Sequence, residues 1–199
     1  MGLLTFKGGI HPDDGKKLSK DKPIVEAKPG KELVYPLSQH IGAPANPIVE
    51  IGARVLRGEK IAEAGGFVSA PIYSSVSGTV KAIAPNFTST GAKVNSIIIE
   101  NDEQYEEAKW REVIPLEQMK KEEILNCIAE AGIVGMGGAG FPTRVKLSPK
   151  EPEKIEYIIA NCAECEPYIT ADYRRMLETP EKLVGGMKVV LQLFENAKG

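Results

Sequence analysis

Between Lys31 and about Asn101 the apolar residues come in short runs cut by turn formers: ELVYPL, NPIVEIGARVLRGEKIAEA, FVSAPIYSSVSGTVKAIAP and KVNSIIIE. Short runs bounded by Gly, Pro, Asn and Ser predict the strands of a small all-β unit. Val49, Gly52, Val55, Gly58 and Ile61 recur at every third position, a rhythm in which glycine permits tight turns between short strands. Ser77-Gly78 predicts one more turn before TVKAI.

Past Glu112 the period changes. In PLEQMKKEEILNCIAEAG, Leu116, Met119, Ile124, Leu125 and Ile128 fall at roughly helical spacing, and Gly132 is placed to end the helix. SPKEPEK then predicts a surface turn, and IEYIIANCA a short β-branched strand over 155–160. Thr170 is placed to cap a short helix. Thr179 as N-cap, Pro180 at the first helical position and Glu181 in the first turn predict another. Along it Leu183, Val184, Met187, Val190, Leu191 and Phe194 form a continuous apolar stripe. A stripe of that width needs a sheet beneath it, and one preceding strand cannot supply one, since a βαβ unit requires a following parallel strand. The expectation is the N-terminal part of a longer protein.

The remaining segments are polar. Residues 1–30, rich in Gly, Lys, Asp and Pro, show no period and predict an arm that wraps the next unit. NDEQYEEAKWRE, from Asn101 to Glu112, predicts a linker. The expected division is an arm over 1–30, a β unit with its linker over 31–112, and the start of an α/β region over 113–199.

Composition narrows the function classes. With 42% hydrophobic and 26% charged residues in 199, the chain can bury a core. A net charge of −2 supplies no basic field for nucleic acid. No apolar run approaches the roughly 20 residues of a membrane span, and MGLLTFKGGIHP lacks a signal-peptide core, so the chain is expected in the cytoplasm. Phe6 stands where an N-myristoylation pattern at Gly2 requires Ser or Thr. Three cysteines, Cys127, Cys162 and Cys165, are an odd number without an export signal and are expected as thiols. Four ligands are needed for a closed zinc or [4Fe–4S] site. Cys162-x-x-Cys165 offers two, and the histidines are His11 and His40.

Two clusters carry chemistry. IVGMGGAGFPTRVK contains G-x-G-x-x-G at Gly135, Gly137 and Gly140, but it follows a helix instead of a strand, and Phe141-Pro142-Thr143 interrupts the place where a dinucleotide-binding helix would begin. What survives is physical: a loop this rich in glycine brings amides close to an anion or a flat ring. The plainer alternative is a tight turn with no ligand. The second cluster, ANCAECEPYITAD, follows the predicted strand, and ligands of open α/β sheets bind outside the carboxyl ends of strands. There Asn161 could bond a flavin edge, Glu164 and Glu166 could accept from a ribose or an amide, and Lys146 could offset phosphate charge. The alternative is solvated carboxylates and a surface lysine.

The β rhythm resembles the barrel-sandwich hybrid of biotinyl and lipoyl carriers. A carrier needs an exposed lysine at a hairpin tip, however, and no lysine occurs between Lys60 and Lys81. GIVGMGGAGFPTRVK is similar to the G-R-G-G-A-G-F-P-T-G-x-K flavin loop of the NADH-oxidising subunit of respiratory complex I, and NCAECEP to its N-A-D-E-x-E-P segment. Met136 stands at the arginine of that loop and Ala163 at the aspartate of that segment. In order, GIHP, KELVYPLSQHIGAPANPIV, VSAPIYSSVSGTV, GMGGAGFPT and NCAECEPYITADYR resemble the N-terminal half of the RnfC family, the C subunits of Rnf electron-transport complexes, over nearly the whole chain.

The resemblance implies a barrel-sandwich hybrid followed by the start of an α/β FMN/NADH-binding domain. It also implies a peripheral subunit on the cytoplasmic face of the membrane, in an ion-translocating ferredoxin:NAD oxidoreductase. The partners it implies are the other Rnf subunits and, indirectly, ferredoxin. By position, Gly135, Gly137, Lys146, Asn161 and Glu164 would hold FMN, and Gly138, Ala139, Phe141 and Glu166 would hold NAD(H). Two [4Fe–4S] clusters would lie in a further C-terminal part. Two other readings are a flavin module of a cobalamin reductase, in which the glycine loop comes nearer the N-terminus, and a docking module without cofactor.

Overall fold

A computed structural model describes residues 12–109 and 112–199. Gly2, Phe6, the first three residues of the GIHP motif, and Trp110 and Arg111 of the charged run lie outside them.

The β-branched runs form seven antiparallel strands: β1 Glu32–Pro36, β2 Asn46–Pro47, β3 Arg54–Val55, β4 Lys60–Glu63, β5 Ile72–Tyr73, β6 Gly78–Phe87 and β7 Lys93–Asn101. One sheet has the order β1-β7-β6-β3 and the other β2-β4-β5. Both face one core, in which Val55, Ile61, Val76, Val80, Ile97 and Ile99 are at most 1% exposed. Burying each such side chain contributes about 1.5–3 kcal/mol. The period of two puts Ile97 and Ile99 inward and Glu100 outward on β7. The expected barrel-sandwich hybrid is therefore the observed architecture, with a register shift between Val80 and Ala82 where β6 bends along β7.

Ser77-Gly78 is not a turn. Gly78 opens β6, opposite Val55 and Asn101, and a Cβ there would overlap the Glu100 carbonyl oxygen. Glycine serves close strand approach at this point instead of chain reversal. The charged run after β7 does not behave as a loose linker either. Asp102 accepts from the Ser77 hydroxyl at 2.6 Å and pairs with Arg54, the Glu106 amide donates to the same hydroxyl oxygen, and Tyr105 packs on the core. Its polar residues find partners on the β unit, which composition alone does not reveal.

The second unit is helical: α1 Lys121–Glu130, α2 Thr143–Lys146, α3 Ala171–Glu178 and α4 Pro180–Leu191. The helix predicted from Leu116 is split into a 3₁₀ turn, Leu116–Gln118, and α1, which begins where Glu123 accepts the Lys120 amide at 2.7 Å. Ile124, Ile128, Leu193 and Phe194 are the buried centre of a second core, with Leu147, Ile155, Ile158, Val189 and Val190 around them. At the end of α1, Gly132 has φ of +65°; its amide donates to Ala129 and the Ile133 amide to Ile128. This is a Schellman termination at the glycine the sequence marked.

Over 155–160 the predicted strand is reduced to one parallel bridge, Tyr157 opposite Lys198, in which the Ile158 amide donates to the Lys198 carbonyl at 2.8 Å and the Lys198 amide to that of Glu156 at 2.9 Å. A strand exists only as a ladder, and Lys198 is the single rung among the described residues. The geometry is that of a βαβ crossover, with α3 and α4 between the paired residues. Leu183 and Val184 on the stripe of α4 accordingly remain 37% and 53% exposed. Both predicted threonine caps start their helices, but neither hydroxyl bonds a helix amide. Thr179 Oγ1 instead lies 3.4 Å from the Arg175 carbonyl.

The arm takes a course the sequence did not predict. Gly30 and Lys31 accept from Asn101 of the β unit, but residues 14–24 bond to the second unit, between Glu166 and Glu178.

Candidate functional site

The glycine loop is a small hairpin standing on the β unit. At its base the Gly135 amide donates to Phe141 at 2.8 Å and the Thr143 amide to Ile133 at 3.0 Å, which directs the chain into the single turn of α2. Its tip is seated from below: the Ile41 amide donates to the Ala139 carbonyl at 2.9 Å. Gly140, at φ of +59°, faces the Gln39 carbonyl and His40 so closely that a Cβ would stand 2.9 Å from that oxygen.

His40 is itself buried. Its Nε2 accepts the Ala70 amide at 3.1 Å, which leaves Nδ1 as the protonated nitrogen facing the Ile41 carbonyl at 3.1 Å. Lys60 and Tyr73 of the β unit add bonds to Glu130 at the end of α1. Gln39, His40 and Ile41, which support the loop, were not among the expected site residues. Their only sequence signal is their place in LSQHIGAP, since nothing local links positions a hundred residues apart.

Above this seat the tip is open. The amides of Met136, Gly137, Gly138 and Ala139 find no acceptor among the described residues. Gly138, at φ of +83°, has no atom within 4 Å of where a Cβ would be. Gly137 turns its missing side chain toward the second cluster, at 3.6 Å from Cys165 Sγ. The two sequence signals therefore meet in space at this pair.

In the second cluster Asn161 Oδ1 accepts the Ala163 amide at 3.0 Å, which turns the chain tightly. Glu164 Oε1 accepts the Tyr173 amide at 3.0 Å, so this carboxylate supplies the cap of α3 that Thr170 does not. Glu166 is exposed, and the structure gives its carboxylate no partner among the described residues. Cys162 and Cys165 are free thiols, and no group of three or more metal-ligating side chains occurs among the described residues.

Lys146 stands at the end of α2, on the rim of an apolar groove of about 750 Å³ lined by Tyr157, Ile159, Ala160, Met187 and Phe194 among others. The groove runs from Lys146 to Ala160, the residue before Asn161. Of the nine expected residues, Lys146 alone lines it. Gly135, Gly137, Gly138, Ala139, Phe141, Asn161, Glu164 and Glu166 belong to the glycine loop and the facing segment.

The carboxylates held below their usual range brace the scaffold. The Ser77 hydroxyl, then the Gln104 amide and Arg54, hold Asp102 below the usual carboxylate range. The Ile24 amide, then Arg174, do the same for Glu178, which fastens the arm to α3. Chemically, the loop tip offers four unbonded amides, two of them on glycines, the facing segment one exposed carboxylate, and Lys146 a cation on the groove that ends at Ala160. That donor set fits a flavin mononucleotide: amides and Lys146 for phosphate or an anionic ring, and glycines for close approach.

Comparison with known proteins agrees with this layout. Residues 4–104, just over half the chain, match the family described as the RnfC barrel sandwich hybrid domain, and residues 128–199 match the Nuo51 FMN-binding domain. The chain is 46% identical over 200 residues to the C subunit of the proton-translocating ferredoxin:NAD(+) oxidoreductase complex of Clostridium ljungdahlii, covering 98% of this chain and 43% of that protein. It is 40% identical to the C subunit of the Na(+)-translocating ferredoxin:NAD(+) oxidoreductase complex of Acetobacterium woodii, covering 98% and 44%. To the C subunit of the ion-translocating oxidoreductase complex of Pseudomonas aeruginosa it is 40% identical, covering 96% and 25%. The chain thus spans less than half the length of these relatives. The barrel-sandwich match over just over half of the chain and the 46% and 40% identities across nearly all of it place the chain in the RnfC family, the C subunits of Rnf complexes.

Proposed function

We propose that this chain is the flavin- and nucleotide-binding portion of a subunit that passes electrons between NAD(H), FMN and iron–sulfur clusters in an ion-translocating ferredoxin:NAD oxidoreductase. The observation that carries the reading is the approach of the open, glycine-lined tip to the Asn161–Glu166 segment, where a Cβ on Gly137 would stand 3.6 Å from Cys165 Sγ. Two relatives whose names specify ferredoxin:NAD(+) oxidoreductase complexes support it.

In this reading Gly135, Gly137, Lys146, Asn161 and Glu164 hold FMN, and Gly138, Ala139, Phe141 and Glu166 hold NAD(H). FMN bound there supplies the exchange between a two-electron hydride couple and one-electron carriers. The chain's own residues bind and orient. The loop amides and Lys146 oppose negative charge, Asn161 addresses a ring edge, Glu166 accepts from a hydroxyl or carboxamide, and Phe141 lies beside a planar ring. No proton transfer by a side chain is required.

The domains follow as arm 1–30, β unit 31–112 and cofactor-binding start 113–199. The two [4Fe–4S] clusters lie in the further length that the relatives possess. No helix among the described residues is long and apolar enough to cross a membrane; in this reading the subunit attaches peripherally to the other Rnf subunits on the cytoplasmic face.

In the full-length protein, Lys146→Ala and Glu166→Ala are each expected to lose NADH oxidation with folding intact by circular dichroism. Normal activity in both would overturn the site, leaving a docking module without cofactor as the better account.

A further inference from the structure

The course of the arm carries an inference beyond cofactor contacts. Residues 14–24 bond to the chain between Glu166 and Glu178, across about 150 positions of sequence. The Tyr168 amide donates to the Asp14 carbonyl at 2.6 Å, and Ser19 Oγ donates to the Tyr168 carbonyl at 2.6 Å, so both backbone polar groups of Tyr168 are held by the arm. Lys16 Nζ donates to the carbonyls of Glu166, at 3.2 Å, and Ile169, at 2.7 Å, and so clips the two ends of the turn together.

Tyr168 has φ of +68°, a conformation a non-glycine residue keeps only where its surroundings impose it. The imposing element is visible. Gly15, itself at φ of +59°, is buried against the Tyr168 ring so tightly that a Cβ would overlap the ring. Beyond it the arm is anchored by Arg174 donating to the Lys20 carbonyl and by Glu178 accepting the Ile24 amide.

We propose that residues 14–20 are a strap that sets the backbone of the 164–169 turn, and that Lys16 is a positioning residue for nicotinamide-nucleotide binding, acting through Glu166. This rests on the proposed role of Glu166. Lys16 does not touch the ligand; it fixes the carbonyl of the residue that does. Lys16 bonds the carbonyl of Glu166, a residue of the NAD(H) set, whereas Asn161 and Glu164 of the FMN set on the same segment are held by bonds of their own, from the Ala163 and Tyr173 amides. Loosening the strap therefore separates the two cofactors.

The test uses the full-length subunit in its complex, with Lys16→Met, which keeps the stem and removes the donor, and Lys16→Arg, which restores one. Loss of one or two net hydrogen bonds predicts an NADH KM about three- to tenfold higher in Lys16→Met. Flavin content and kcat are expected to stay within about twofold of wild type, and Lys16→Arg to recover most of the KM. Independently of activity, amide hydrogen exchange in a peptide covering 164–170 is expected to quicken by about fivefold or more in Lys16→Met without cofactor. Unchanged exchange would overturn the strap. Faster exchange with an unchanged KM, or a parallel loss of flavin, would overturn the positioning role. A wild type that contains no FMN and oxidises no NADH would overturn the proposed function and this inference together. A wild type that does both, beside an unaffected Lys16→Met, would overturn the inference alone.

Discussion

Replacing Gly140 by alanine tests whether the glycine loop is seated on the β unit, and Gly138→Ala is its control. Both residues have positive φ, +59° and +83°, so an alanine at either costs about 1–2 kcal/mol of backbone strain. They differ in their surroundings. At 138 nothing lies within 4 Å of the new Cβ; at 140 the Cβ would stand 2.9 Å from the Gln39 carbonyl oxygen and 3.2 Å from His40 Cα, both backbone atoms that cannot rotate aside. Overpacking of this kind adds about 1–3 kcal/mol. At about 2–4 °C per kcal/mol for a chain of this size, Gly140→Ala should melt about 2–12 °C below Gly138→Ala, or about 4–8 °C for a central value of about 2 kcal/mol. Thermal unfolding by circular dichroism measures the difference. Amide exchange at Ile41, whose N–H holds the Ala139 carbonyl, should accelerate in Gly140→Ala alone. Equal melting temperatures and an unaltered Ile41 amide would refute the seating.

Two further outcomes follow from the same geometry. Gly137→Ala places a Cβ at 3.6 Å from Cys165 Sγ, an ordinary contact, so its stability should change by less than about 0.5 kcal/mol while FMN affinity in the full-length protein falls at least about tenfold; fluorescence titration with a parallel melt decides. Asp102 is held below its usual range, so its contribution is complete above the unfolded value near 4 and is lost as pH falls through the lower folded value. Asp102→Ala should lower the urea midpoint at about pH 6, with the gap from wild type narrowing as pH falls below about 4, and a gap independent of pH would contradict the pairing with Ser77.

What the sequence made legible was local. The rhythm of Val49, Gly52, Val55, Gly58 and Ile61 reports the β unit because each short strand carries its own period and its own turn. Gly132 ends α1 because a left-handed residue is a local requirement, met by Gly132 itself. Pro180 and Glu181 begin α4 for the same reason. The failures are non-local. Residues 155–160 have strand composition, but a strand also needs neighbours, and Lys198 is their single rung among the described residues. The charged run after Asn101 reads as a linker until Ser77, Arg54 and Arg57 appear opposite it. Glu164 as the cap of α3, and the arm lying on Tyr168, depend on contacts that no window of sequence contains.

The site divides the same way. That the glycine loop and the NCAECEP segment lie together was legible from residue types and order. That they meet at Gly137 and Cys165, on a support made by Gln39, His40 and Ile41, was not, because it depends on how the two units pack.

In the proposed reading this meeting point binds FMN and presents it to NADH. Its most direct test is a titration of the full-length chain with FMN, following flavin fluorescence, and then addition of NADH while the visible flavin band is recorded. The account predicts saturable binding and rapid bleaching of the band. A folded protein that leaves free FMN fluorescence unchanged would contradict it and reduce the glycine loop to a turn.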